Sequence, residues 1–336
     1  MSDGAELRDF AFRAHQQTVN GSTVGNGGYG VDIGIVDSVY RLPEEFGEDI
    51  RTSEPHRFID TDEEMTRIHG LRVVSFASQF APEATFHFYQ AIDENGDVSV
   101  EAYENAIDQA IADGIDILNI SAGNDWDVPV EADPFAQKPP EAIEEGITVV
   151  AAAGNDDGVP PESPVHSPAA VSSVISVGGV VTYCPESAGS VHDTPGEGPY
   201  YVEDGADADV FCGEQGCAVE GDCVARQSRE AWDGNPAESR GEIDVLAPMA
   251  YPFETPDGDY QLEEGSSFAA PIVSGVLAEA YSDIRENCGR IPGPGVTKNV
   301  VEETVADGLA DVSGLLNAYR LKSELEVSCL RAPSER

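Results

Sequence analysis

Four short stretches carry residue types that could act on an acyl carbon. Gly34-Ile35-Val36-Asp37-Ser38 is an apolar run ending in a carboxylate, and Ile68-His69-Gly70 supplies an imidazole. Val149-Val150-Ala151-Ala152-Ala153-Gly154-Asn155 ends in a side-chain amide, and Gly265-Ser266-Ser267-Phe268-Ala269-Ala270-Pro271 holds a hydroxyl in a small-residue turn. Nucleophilic attack by a hydroxyl needs such parts: a nucleophile, a base for its proton, an acid group to orient the base, and donors for the developing oxyanion. Singly, each has an ordinary alternative. Asp37 would be a strand-end cap, His69 a surface residue, Asn155 a turn former and Ser267 a helix N-cap.

The elements that would position these residues alternate. Apolar runs at Val31–Val36, Thr85–Tyr89, Ile115–Ile120, Ile147–Ala153, Val174–Val177 and Ile243–Ala247 predict strands. Between and after them, Val98–Asp113, Pro139–Glu145, Ser267–Tyr281 and Leu309–Glu326 predict helices, and His69 opens another that runs toward the Ala81-Pro82 turn. Such alternation builds an α/β fold in three layers, a doubly wound, mostly parallel sheet with helices on both faces. Asp37 then stands at the end of a strand, where open α/β sheets gather functional groups. Val181 to Arg240 has four cysteines, many glycines and no periodicity, so it is expected to be a Cys-rich insertion.

The charge excludes several functions. There are 63 Asp+Glu against 18 Lys+Arg, a formal net charge of −45, with lysine only at Lys138, Lys298 and Lys322. No nucleic acid is expected as a partner. Self-repulsion on this scale is relieved when the Debye length shrinks to roughly 3 Å near molar salt, so the composition points to adaptation to high salt. No membrane association is expected either, because the long uncharged stretch Ser163–Pro185 is full of Pro, Ser and Gly. The N-terminal MSDGAELRDFAFRAHQ places charges where the apolar core of a signal peptide would lie, implying a cytoplasmic protein.

Six cysteines pull the other way, toward an extracellular setting: Cys184, Cys212, Cys217, Cys223, Cys288 and Cys329. The middle four suit disulfides, and the C-x4-C-x5-C spacing of Cys212, Cys217 and Cys223 is a weaker signal for zinc.

The four stretches, in their order Asp, His, Asn, Ser, resemble the motifs of the subtilisin-like serine proteases. Asn119-Ile120-Ser121-Ala122-Gly123 is similar to that family's substrate-binding strand. Val174-Ile175-Ser176-Val177-Gly178 and Asp244-Val245-Leu246-Ala247-Pro248 are similar to the strands after the Asn and before the Ser. The resemblance runs from about residue 25 to 320, and the acidity suggests a haloarchaeal-type, halophilic member. It implies a peptidase domain over 25–328, flanked by an N-terminal segment 1–24 and a C-terminal tail 329–336.

The resemblance implies that Ser267 is the nucleophile, His69 the general base and then acid, Asp37 the orienting carboxylate, and Asn155 an oxyanion donor. Ser121, Ala122 and Gly123 with Ala152, Ala153 and Gly154 would bind a polypeptide substrate in extended form, as an added strand. His166, eleven residues after Asn155, would give the specificity pocket a polar, titratable end. No cofactor is implied. The calcium loop of many relatives has no counterpart between His69 and Ala81, and the many carboxylates single out no calcium site. A monomer is expected, and Met1 to Tyr29 leaves room only for the start of a mature domain.

Two departures from the family pattern stand out. Val39 replaces a Gly after the Asp motif, and Leu71-Arg72 follow His69-Gly70 where Thr-His is usual. These motivate a competing reading, a catalytically impaired homologue that binds peptides as a regulatory module. A third reading, the acidic-pH serine peptidases with Glu in place of the His, is opposed by His69 and Asn155.

Overall fold

The computed structural model describes residues 15, 16, 19, 21, 25–39, 50–59, 67–93, 96–123, 129–155, 165–183, 226–229, 243–254, 260–307 and 313–331. Along the chain these form β1 (Asp32–Asp37), β2 (Arg51–Thr52), β3 (His56–Arg57), α1 (Arg67–Ser78), β4 (Thr85–Gln90), α2 (Val100–Asp113) and β5 (Ile117–Ile120). There follow α3 (Pro134–Gln137), α4 (Pro139–Glu144), β6 (Thr148–Ala152), β7 (Ile175–Tyr183), β8 (Arg226–Arg229), β9 (Val245–Pro248), β10 (Ala250–Glu254) and β11 (Tyr260–Glu264). The chain continues through α5 (Ser266–Cys288), α6 (Pro294–Thr304), β12 (Ala306–Asp307), β13 (Ser313–Leu315) and α7 (Ala318–Arg331).

The main sheet runs in the order β12-β13-β9-β7-β6-β5-β1-β4-β2, and the pairings from β13 through β2 are parallel. Parallel strands need crossover helices, which cover both faces. The side chains alternate accordingly. Ile33 and Ile35 of β1 and Val150 of β6 enter one core with α1, α5 and α7. Val36, Leu118, Ile120, Val149 and Ala151 enter a second core with α2 and α4. This is the three-layer α/β arrangement that the sequence predicts.

β1 pairs β4 on one side and β5 on the other, so the chain turns back at β1. The carboxyl end of such a strand opens onto a crevice, and there Asp37 stands. α2 begins at Ser99, whose hydroxyl accepts the Ala102 N–H, and ends at Gly114 in the left-handed region (φ 67°). α5 passes close enough to α1 that a Cβ on Gly275 would meet the Ala77 carbonyl oxygen at 2.4 Å.

Two sequence expectations change. The helix placed at Leu309–Glu326 is instead the strand β13 followed by α7, because Asn317 caps a new start: its Oδ1 accepts the Arg320 N–H at 3.0 Å. The helix expected to end at Tyr281 continues to Cys288, stopped by Gly289 (φ 74°). Cys288 pairs with Cys329, tying α5 to α7. Cys184, Cys212, Cys217, Cys223 and most of the insertion at 181–240 lie outside the described residues; within it, β8 adds to β7 in antiparallel register. Among the described residues, no helix is long and apolar enough to cross a membrane and no acid, His or Cys cluster could hold a metal ion.

Candidate active site

Asp37 is the last residue of β1 and is fully buried. A buried carboxylate needs partners, and the next residue provides two: the Ser38 N–H and Ser38 hydroxyl donate to Asp37 Oδ1 at 2.6 and 3.0 Å. The same hydroxyl accepts the Gly70 N–H at 3.2 Å, which fixes α1 against the strand end. His69, in the first turn of α1, brings Nδ1 to 3.0 Å from both oxygens of Asp37.

Burial acts to lower the His69 pKa, but the charge and hydrogen bond of Asp37 outweigh it and the net shift is upward from 6.5. The nearby Arg72 guanidinium works in the lowering direction. Burial pushes Arg72 itself down to about 10.

One departure noted in the sequence, Val39, has a steric reason. Val39 is fully buried, and a Cβ on Gly70 would lie 2.5 Å from the Val39 Cβ. The valine and the glycine therefore fit each other. Leu71 packs against the core.

Ser267 is the second residue of α5 and is half-buried. Four residues on, Pro271 has no N–H to give the Ser267 carbonyl, so that oxygen needs another donor. The Ser121 hydroxyl supplies it at 2.8 Å, and in return the Ser267 hydroxyl donates to the Ser121 carbonyl at 3.1 Å. Ser121 is oriented by the Asn119 amide at 2.8 Å, and Asn119 Oδ1 accepts the Ser274 hydroxyl at 3.0 Å. A buried polar chain thus locates the start of α5 against β5.

Asn155 follows β6, with its side chain exposed. Its Oδ1 accepts the Ser266 N–H at 2.6 Å, which leaves the Nδ2 hydrogens as the remaining side-chain donors. Ser266 is fully buried, and its hydroxyl bonds both the N–H and the C=O of Gly154 at 3.1 and 2.9 Å. The Asn155 loop and the Ser267 turn are therefore one hydrogen-bonded unit.

The structure joins Asp37 to His69 directly and joins Ser267 to Asn155 through Ser266. The two halves meet at Phe268, whose ring lies 5.6 Å from that of His69. Among the described residues no hydrogen bond links the Ser267 hydroxyl to His69; in this rotamer it belongs to Ser121. The Ser121 side chain is buried and braces Ser267, while Ala122 and Gly123 are partly or fully exposed. Ala152 and Ala153 are buried.

The His166 N–H donates to the Ala153 carbonyl at 2.9 Å. Its ring sits 2.7 Å from where a Gly154 Cβ would be, and its own Cβ lies 3.0 Å from that position on Gly123. With φ at 108°, Gly154 suits glycine on conformation as well as space. His166 therefore packs against both segments. Sequence reasoning did not find the roles of Ser38, Ser266 and Phe268, and the only signal was their adjacency to assigned residues.

Residues 52–317 match the model of the Subtilase family. The major intracellular serine protease of Bacillus subtilis (strain 168) is 29% identical over 201 residues, 59% of this chain and 47% of that protein. The minor extracellular protease Epr of the same organism is 38% identical over 97 residues, 29% of this chain and 14% of that protein. The chain thus spans less than half the length of either relative. Among solved structures, a lanthipeptide protease superposes with TM-score 0.62 at 19% identity, covering 95% of each chain. The prenylagaramide maturation protease PagA gives 0.59 at 23% identity, covering 90% of this chain and 94% of that one.

Proposed function

The chain belongs to the subtilase family, and on that premise we propose that it is a serine endopeptidase. In this reading Ser267 attacks the scissile carbonyl, His69 takes the hydroxyl proton and returns it to the leaving amine, and Asp37 holds the imidazole tautomer. The Asn155 Nδ2 and the Ser267 backbone N–H donate to the oxyanion. The observation that carries the proposal is the buried Asp37 carboxylate bonded through both oxygens to His69 Nδ1, with the His69 ring resting on the residue after Ser267. Rotation of the Ser267 hydroxyl from Ser121 toward His69 completes the relay. Catalytic hydrogen bonds commonly tighten only with substrate in place.

The substrate is a polypeptide, bound in extended form along the backbone of Ser121–Gly123 and Ala152–Gly154, with His166 closing the slot between these segments. The support for His166 is its packing against both glycines. A cleavage profile on a peptide library should change in His166→Ala; an unchanged profile dismisses the role.

The net charge of −45 supports adaptation to high salt, and the lysines fit it. Each bridges two carboxylates: Lys138 with Asp108 and Glu141, Lys298 with Asp244 and Glu302, Lys322 with Glu279 and Asp283. A melting temperature that rises steeply toward molar KCl is expected, and a flat dependence counts against the adaptation.

Activity is tested by a fluorophosphonate probe at molar salt. One equivalent should label Ser267, none should label Ser267→Ala, and His69→Ala should react far more slowly. Tight peptide binding without labelling would overturn the peptidase assignment.

A further inference from the structure

His15 lies before the first strand of the sheet, yet its side chain is fully buried. An imidazole costs more to bury than an apolar side chain of its size unless its nitrogens find partners. Its Nδ1 is 3.2 Å from Gln79 Oε1, just past the end of α1, which holds the ring in one orientation. The surrounding turn is anchored too: the Val19 N–H donates to the His15 carbonyl at 3.1 Å, Val19 is fully buried, and its carbonyl accepts the Ala318 N–H at 2.8 Å.

From this anchor a column of rings leads to the candidate active site. His15 stacks on Phe76 with centroids 5.5 Å apart and planes at 23°. Phe76 stacks on Phe268 at 5.2 Å and 9°, and Phe268 meets His69 at 5.6 Å and 34°. Phe76 is two turns after His69 on α1, so both lie on one helix face. Phe268 is the neighbour of Ser267 on α5. The column therefore spans both elements that carry the reacting groups, and its far end rests on the N-terminal turn. Asp37 restrains one edge of the His69 ring, while Phe268 restrains its face.

We propose that His15 is a positioning residue for His69, acting through Phe76 and Phe268. The proposal rests on the peptidase reading above. It predicts that a change in the N-terminal turn, remote from the reacting atoms, alters the rate of the chemical step. Aromatic pairs and base placement are each worth enough for the loss to be measurable.

The test compares wild type with His15→Leu, which fills similar space without a ring, and His15→Phe, which restores the ring without the Gln79 bond. The expected result is a fall in kcat of about 3- to 10-fold in His15→Leu with KM nearly constant, and recovery of most of it in His15→Phe. The His69 ring resonances in NMR should shift or broaden in His15→Leu and return in His15→Phe. Equal losses in both variants, or a lower melting temperature with kcat and the His69 resonances unchanged, would overturn the proposal. If His15→Leu does not fold, Phe76→Leu poses the same question one ring nearer. A wild-type protein that the probe does not label would sink the peptidase reading, while the His69 resonances still decide whether the column acts.

Discussion

The two halves of the candidate active site are held by different forces. The Asp37–His69 half is electrostatic: a buried carboxylate, an imidazole whose pKa it raises, and an arginine that opposes the rise. The Ser267–Asn155 half is neutral, built from hydroxyls, backbone groups and one amide. A group held by charge responds to pH, whereas one held by neutral hydrogen bonds responds mainly to geometry. The first half can therefore be tuned by solution conditions, and the second supplies a fixed frame for it.

The largest expected effect breaks the charged half. Asp37→Asn should keep the fold while lowering kcat by about 10⁴, because the imidazole loses the partner that sets its tautomer. Burst-free single-turnover kinetics would measure it, and a loss below tenfold would mean that Asp37 does not orient the base. Next, Asn155→Ala should cost about 10²–10³ in kcat, since its Nδ2 is assigned to the oxyanion, and it also frees the Ser266 N–H that Oδ1 accepts.

A smaller effect follows from the neutral frame. Ser266→Ala strands the Gly154 N–H and C=O and should lower stability by about 1–3 kcal/mol in denaturant titration. Its effect should be the same at pH 6 and pH 8, in contrast to changes in the charged half.

The smallest effect sharpens the comparison. The His69 pKa is raised above 6.5, so the acid limb of kcat/KM should lie above pH 6.5. Arg72 disfavours the imidazolium, so Arg72→Leu should move that limb to higher pH. A shift to lower pH would contradict the assigned sign. The same linkage acts on stability. The Asp37–imidazolium attraction contributes fully below the ordinary imidazole value and is lost as pH rises through the raised folded value. Activity appears over the range in which this contribution disappears.

Asp37 was readable from the sequence because it ends the apolar run of β1, and His69 because of its motif and its place in the order of the four stretches. The parallel sheet was readable for the same reason, since strands buried on both faces are continuous apolar runs. The hairpin of β10 and β11 escaped, because Pro252 interrupts the short apolar run of Ala250–Glu254 and Tyr260–Glu264 mixes charged and apolar residues. The break between β13 and α7 escaped because apolar spacing continues through Asn317, and only the cap hydrogen bond marks the boundary. The bracing roles of Ser121 and Ser266 depend on partners more than 100 residues away along the chain. Local spacing carries no signal for a hydroxyl's direction.

The pairing of every lysine with two carboxylates has a practical side. Acylating reagents aimed at side-chain amines, used for immobilisation, dye attachment or cross-linking, would turn Lys138, Lys298 or Lys322 into a neutral amide and leave its two acids facing each other. Handles for attaching this protein to a surface are better sought in its acids, which it has in surplus.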